Sequence, residues 1–160
     1  MTKEVFTLWF DHGNRPDNAS YQYIVVPGVS VGELGKTSRD HRGIEIISNS
    51  RDIQAVRNSK LGICQLAFYK SGEADIGNGL KVRMDHCGMV MLKMQGAKVK
   101  KLTVSDPSRK LARITVTVPG AYAVEGKDFR ARPDQKQNRT SIVVDLPKGV
   151  FTGKSVTVDL

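Results

Sequence analysis

Cysteine, histidine and aromatic residues are scarce in this chain, and long apolar runs are missing altogether. No hydrophobic stretch approaches the roughly 20 residues that a membrane-spanning helix requires, so no membrane span is expected. Met1-Thr2-Lys3-Glu4-Val5 leads straight into a strand pattern, and no signal peptide is read there. No window of about 11 residues or more carries an apolar stripe at helical spacing. One helical turn at residues 30–34 is the most that the pattern predicts. Ser/His/Asp, Cys/His and phosphate-cradling glycine patterns are also absent, which argues against the common nucleophilic and nucleotide-binding chemistries. The two cysteines decide little. Cys64 falls mid-strand among Ile63, Leu66 and Phe68, and Cys87 falls in the turn Asp85-His86-Cys87-Gly88. Two buried free thiols are the plain reading, and a bridge in an oxidising compartment is the other. Asp85, His86 and Cys87 are not expected to bind a metal, because adjacent strand residues point to opposite faces. No metal or cofactor is expected elsewhere.

What is present is β-structure. Hydrophobic residues make up 39% of 160 residues, with 15 Gly and 6 Pro, enough for one core of ordinary size in a turn-rich fold. Strands are expected at residues 4–10, 21–26, 44–47, 53–56, 61–69, 80–84, 90–94, 99–105, 113–118, 121–124, 141–146 and 155–160. Residues 4–10 carry apolar side chains on both faces, as a strand covered on both sides would. Gly77-Asn78-Gly79 reads as a hairpin turn. Residues 29–43 are a polar connector punctuated by glycine, and residues 127–139 lack a strand pattern and read as a flexible basic loop. Turns recur at the spacing expected of a two-sheet sandwich. The fold class is all-β.

Charge is the compositional clue to a partner. The net charge is +9, and it is lopsided. Through Gly96 there are 12 Lys and Arg against 10 Asp and Glu; from Ala97 onward there are 13 against 6. Such a field attracts polyanions. The candidate polyanion-binding residues are Lys98, Lys100, Lys101, Arg109, Lys110, Arg113, Lys127, Arg130 and Arg132. Strands 99–105 and 113–118 are expected to bring the first two groups together, with the loop at 127–139 closing over them. A face of solvated charge that only keeps the domain soluble is the competing reading. Nucleic acid is not the expected partner. Only Tyr122 and Phe129 lie near the basic stretches, and base stacking needs interleaved aromatics.

Several motifs carry a resemblance. His12-Gly13-Asn14-Arg15-Pro16, followed by Tyr21-Gln22-Tyr23 and Pro27, resembles the end of the central β-domain of polysaccharide lyase family 8, the chondroitin AC, hyaluronate and xanthan lyases. Asp52-Ile53-Gln54-Ala55-Val56, Leu61-Gly62-Ile63 and Ala67-Phe68-Tyr69-Lys70 are similar to the opening of its C-terminal β-domain. Val104-Ser105-Asp106-Pro107-Ser108 resembles its Asp-Pro turn. Residues 142–147 and Gly153-Lys154-Ser155-Val156 resemble its closing strands. The order is the family's order across nearly the whole chain. The resemblance implies a remnant of the central β-domain plus connector at 1–43 and a C-terminal β-sandwich domain at 44–160. An N-terminal strand pair within residues 1–26 would be left from the preceding domain, its exposed edges open to homodimerisation.

The resemblance also implies a substrate class and a missing partner. Family members are several times longer and begin with a helical toroid, so the N-terminal catalytic domain of the same enzyme is the implied partner. The implied substrate is an anionic glycosaminoglycan of the chondroitin sulfate or hyaluronan type. The implied site of the parent enzyme is extracellular or periplasmic, with its export signal outside this chain. β-Elimination at a uronide needs a group to neutralise the C5 carboxylate, a base for the C5 proton and an acid for the leaving oxygen. In the family those Asn, His, Tyr and Arg residues belong to the helical domain, and their motifs do not occur here. His12, Tyr21 and Tyr23 therefore take structural roles, and no catalytic residue is assigned. The chain is expected to be inactive alone. Its role would be structural support and carbohydrate binding; an independent carbohydrate- or polyanion-binding sandwich module is the alternative.

Overall fold

The computed structural model describes residues 7, 9–40 and 43–160, side chains of residues 37–40 excepted. The expected strand at residues 4–10 lies largely outside the described residues. The described part holds one α-helix, α1 (Val31–Asp40), one 3-10 turn at Gly149–Phe151 and twelve strands. They are β1 (Ile44–Asn49), β2 (Ile53–Asn58), β3 (Ile63–Phe68), β4 (Gly72–Asp75), β5 (Lys81–Met84), β6 (Gly88–Gln95), β7 (Lys98–Ser105), β8 (Arg113–Pro119), β9 (Glu125–Gly126), β10 (Phe129–Asp134), β11 (Arg139–Asp145) and β12 (Val156–Asp159). Two six-stranded antiparallel sheets form, in the orders β1-β2-β3-β6-β7-β12 and β4-β5-β8-β11-β10-β9. The expected sandwich is therefore observed.

Period-two alternation builds the core. Cys64, Leu66 and Phe68 of β3, Val90 and Leu92 of β6, and Leu102 and Val104 of β7 face inward from the first sheet. Val82 and Met84 of β5, Ile114, Val116 and Val118 of β8, and Ile142 and Val144 of β11 meet them from the second. Each such side chain contributes about 1.5–3 kcal/mol on leaving water, before its lost conformational freedom is counted. Two bulges break the regular pairing. In β1 the register passes from Ile46 against Val56 to Ser48 against Ala55, so Ile47 is an extra residue. The other lies between β6 and β7. Lys93 pairs Lys101 and Met94 pairs Val99, so Lys100 is an extra residue, and both Lys100 and Lys101 reach solvent.

Two polar side chains are buried to fix the connections. Asp106 is 2% exposed, and its carboxylate organises the turn from β7 to β8. Oδ1 accepts from the Ser108 N–H at 2.8 Å and its hydroxyl at 2.6 Å, while Oδ2 accepts from the N–H groups of Lys110 and Leu111, each at 2.8 Å. Burial alone would raise this carboxyl's pKa, but these donors outweigh it and hold the group below its ordinary value. Thr140, fully buried in β11, donates to the Gly120 carbonyl at 2.7 Å and accepts from the Tyr122 N–H at 2.8 Å. The Tyr122 hydroxyl accepts from the Val99 N–H at 2.9 Å and so ties the second sheet to the first. The turn at residues 77–79 is observed between β4 and β5. Gly77 is required there, because its φ is +106° and a Cβ would stand 1.8 Å from the Arg57 guanidinium.

Five expectations need correction. Residues 21–26 form no strand, because a strand needs a neighbour and the described residues offer none. The described link from that segment to the sandwich is one hydrogen bond, from Asn49 Nδ2 to the Tyr21 carbonyl at 3.3 Å. Trp9, 71% exposed, and Phe10, 42% exposed, are not covered on both sides. The single turn at 30–34 extends into the ten-residue α1. Ser30 and Glu33 form a reciprocal cap at its start: the Ser30 N–H donates to Glu33 Oε2 at 3.0 Å, and the Glu33 N–H donates back to Ser30 Oγ at 3.4 Å. Residues 121–124 are not a strand; β9 follows them. Residues 127–139 are not a loop but contain β10 and its hairpin into β11, because Phe129 and Ala131 alternate inward between outward Arg130 and Arg132.

Candidate polyanion-binding surface

The nine candidate residues do not converge. Lys98, Lys100 and Lys101 open β7 in the first sheet, whereas Arg113, Arg130 and Arg132 stand on the outer face of the second. Arg109 and Lys110 lie in the turn after the far end of β7, and Lys127 lies in the turn before β10. The expected meeting of the first two groups therefore fails: strands 99–105 and 113–118 belong to opposite sheets, and β10 sits beyond β11 instead of closing over them.

The register of the second sheet gathers a different set. Its outer face carries Arg83 of β5, Arg113 of β8, Arg139 of β11, and Arg130 and Arg132 of β10. Three of these are already engaged. Arg113 Nε lies 2.7 Å from Asp145 Oδ1, Arg130 Nε 3.2 Å from Glu125, and Arg139 Nε 4.0 Å from Asp134. The Arg113 hydrogen bond depresses the Asp145 pKa and raises that of the guanidinium. Among the described residues, Arg83 and Arg132 are held by no carboxylate. Arg83 was missed by reading charge density along the chain, and Arg139, at the end of the basic stretch 127–139, was left out of the candidates; only cross-strand register places them beside the others.

In the first sheet the outer face is less charged. Lys101 pairs with Asp159 at 3.1 Å. Ile46, Val56 and Met91 fall in one cross-strand row, and each is more than a third exposed. Ile44 and Met89 extend this apolar area.

A second surface feature precedes the sandwich. Trp9, Phe10, His12, Tyr21 and Tyr23 line an open cleft of about 390 Å³. The rings of Phe10 and Tyr21 stack at 4.6 Å between centroids, Tyr21 and Tyr23 stack at 6.2 Å, and His12 lies 5.9 Å from Tyr21. Among the described residues, the lining is aromatic apart from the His12 imidazole and the two tyrosine hydroxyls.

The cysteines and the acidic turn complete the chemistry. Cys64 is buried and Cys87 half-buried, and both are free thiols. Burial pushes the Cys64 thiol up to about 11, against a smaller lowering by Arg57. Asp85 pairs with His86 Nδ1 at 3.0 Å and accepts from the Thr115 N–H at 2.8 Å. Among the described residues no three or more His, Cys, Asp and Glu converge as a metal site.

Comparison with known proteins gives a consistent pattern. Residues 1–38 match the polysaccharide lyase family 8 super-sandwich domain, and residues 45–115 match that family's C-terminal beta-sandwich domain. A curated relative, chondroitinase-AC of Pedobacter heparinus, is 29% identical over 157 residues, covering 98% of this chain and 20% of that protein. Xanthan lyase of a Bacillus species is 27% identical over 128 residues, covering 79% of this chain and 13% of that protein. A solved chondroitinase AC lyase superimposes with a TM-score of 0.70 at 26% identity, covering 92% of this chain and 19% of that one. The Streptomyces coelicolor A3 chondroitin AC lyase in complex with chondroitin sulphate gives a TM-score of 0.70 at 26% identity, covering 93% and 19%. The chain thus spans about a fifth of the length of the chondroitin AC lyases and about an eighth of that of the xanthan lyase.

Proposed function

The chain belongs to polysaccharide lyase family 8, matching its C-terminal region, and from that premise we propose that it is a non-catalytic β-domain part of a lyase that cleaves anionic glycosaminoglycans by β-elimination. Residues 1–43 are then the end of the central β-domain with its connector, and residues 44–160 the C-terminal sandwich. The observation that carries this reading is the tandem match to two successive domains of the family, in family order. Among the described residues the aromatic cleft offers His12, Tyr21 and Tyr23 and no Arg, Lys or Asn, which is compatible with that reading.

Two roles follow. Structural support rests on the exposed apolar surface, Ile46, Val56 and Met91 on the first sheet and the ring cluster at Phe10 and Tyr21, which the catalytic part of the same enzyme would cover. Glycan binding rests on the cationic second sheet. The parent enzyme would act outside the cytoplasm, where such polymers occur. The test is direct: incubate residues 1–160 with chondroitin sulfate and with hyaluronan, and follow the ultraviolet absorbance of unsaturated uronide ends. No growth is expected. Steady growth that is lost in His12→Ala or Tyr21→Phe would overturn the non-catalytic reading.

A further inference from the structure

We infer that one cross-strand row on the outer face of the second sheet is a glycan-binding site, in which Arg83 and Arg132 each hold an acid group of a single polysaccharide chain. The inference rests on the glycan-binding reading above and assigns it a place. Arg83 pairs Thr117, Thr117 pairs Ser141, and Ser141 pairs Arg132, so the four residues form a straight line across β5, β8, β11 and β10. Three strand spacings of about 4.8 Å put the two arginine positions about 14 Å apart. Between them the hydroxyls of Thr117 and Ser141 lie 3.2 Å from each other, half-buried, each able to donate to or accept from a sugar hydroxyl.

This row differs from its neighbours in being uncommitted. Arg113, Arg130 and Arg139 spend their charge on Asp145, Glu125 and Asp134. Glu73 stands beside Arg83 in the register, but its carboxylate is taken by Lys81 at 2.9 Å. Guanidinium is suited to the task, because its planar fork matches the two oxygens of a carboxylate or a sulfate ester. The line is also rigid, since Met84, Val116 and Ile142, which alternate with its members, are fully buried. No aromatic side chain lies in the row, which favours a polysaccharide over single-stranded nucleic acid.

The experiment compares two double variants of residues 1–160 on immobilised chondroitin sulfate and hyaluronan. Arg83→Gln with Arg132→Gln should weaken binding by about tenfold. Arg113→Gln with Arg130→Gln removes the same two charges and should weaken it by about twofold or less. A uniform field predicts equal losses, so equal losses would overturn the assignment while leaving glycan binding intact. Loss on chondroitin sulfate alone would identify the sulfate ester as the bound group, and loss on both polymers the uronate carboxylate. Displacement by single-stranded DNA as effective as by free chondroitin sulfate would also overturn it. If the unaltered chain binds neither polymer, the underlying functional reading fails with it. All four arginines are exposed, so an unchanged thermal midpoint serves as the folding control.

Discussion

Replacing Asp106 by Ala removes a buried carboxylate that accepts four hydrogen bonds, three of them from backbone N–H groups. Hydrogen bonds to a charged group each contribute about 1.5–3 kcal/mol. The sum overstates the loss, because the four act as one unit and residues 107–110 are exposed, so freed donors turn to water. A net destabilisation of about 2–4 kcal/mol remains, and Asp106→Asn should approach it by setting an amide against two N–H donors. For a chain of this size that lowers the thermal midpoint by roughly 4–16 °C. The pH dependence adds a second signature. Asp106 titrates below its unfolded value, so its stabilisation is complete above that value and is lost as pH falls through the folded one. Urea denaturation at neutral pH and in acid reads both effects: the gap between wild type and variant should narrow as the carboxylate protonates. A loss below about 1 kcal/mol at neutral pH, or a gap that ignores acid, would refute the account of this turn.

Other outcomes follow from the same structure. Leu92→Ala, at a fully buried site between the sheets, should cost about 2–5 kcal/mol in urea denaturation; a cost under 1 kcal/mol would mean that the core closes over the cavity. In native protein a thiol reagent should modify Cys87 well before Cys64, whose burial raises its pKa to about 11, with the second thiol reacting only on unfolding. Ser30→Ala should fray α1 and lower its amide exchange protection, at a cost of about 0.5–2 kcal/mol to the helix, and unchanged protection would show the cap to be idle.

The sandwich was legible in the sequence because its core strands alternate cleanly; Leu92, Val104 and Val116 mark their inward faces without ambiguity. β10 was not, since its inward positions are Phe129 and Ala131, and only the first is large and apolar. Its pairing with the strongly patterned β11 decides it, a tertiary effect that overrides weak local preference. α1 was hidden by Gly32 and Gly35 and by an exposed apolar face; the Ser30 and Glu33 pair was the readable signal. The candidate site was legible only as a basic composition. Runs such as Lys100-Lys101 and Arg109-Lys110 are dense in sequence yet scatter in space, and the bulge at Lys100 adds to the scatter. Arg83 carries no run at all, and strand order alone brings it into line with Arg132.

The central claim is that this β-sandwich holds an anionic glycosaminoglycan by charge without cleaving it. Titrating residues 1–160 on immobilised chondroitin sulfate between about 0.1 M and 1 M salt tests it, because the Debye length then falls from about 10 Å to about 3 Å. The account predicts retention at low salt, a steep loss of affinity across that range, and recovery of the polymer uncut. Absence of retention at low salt, affinity that ignores salt, or a shortened polymer would contradict it.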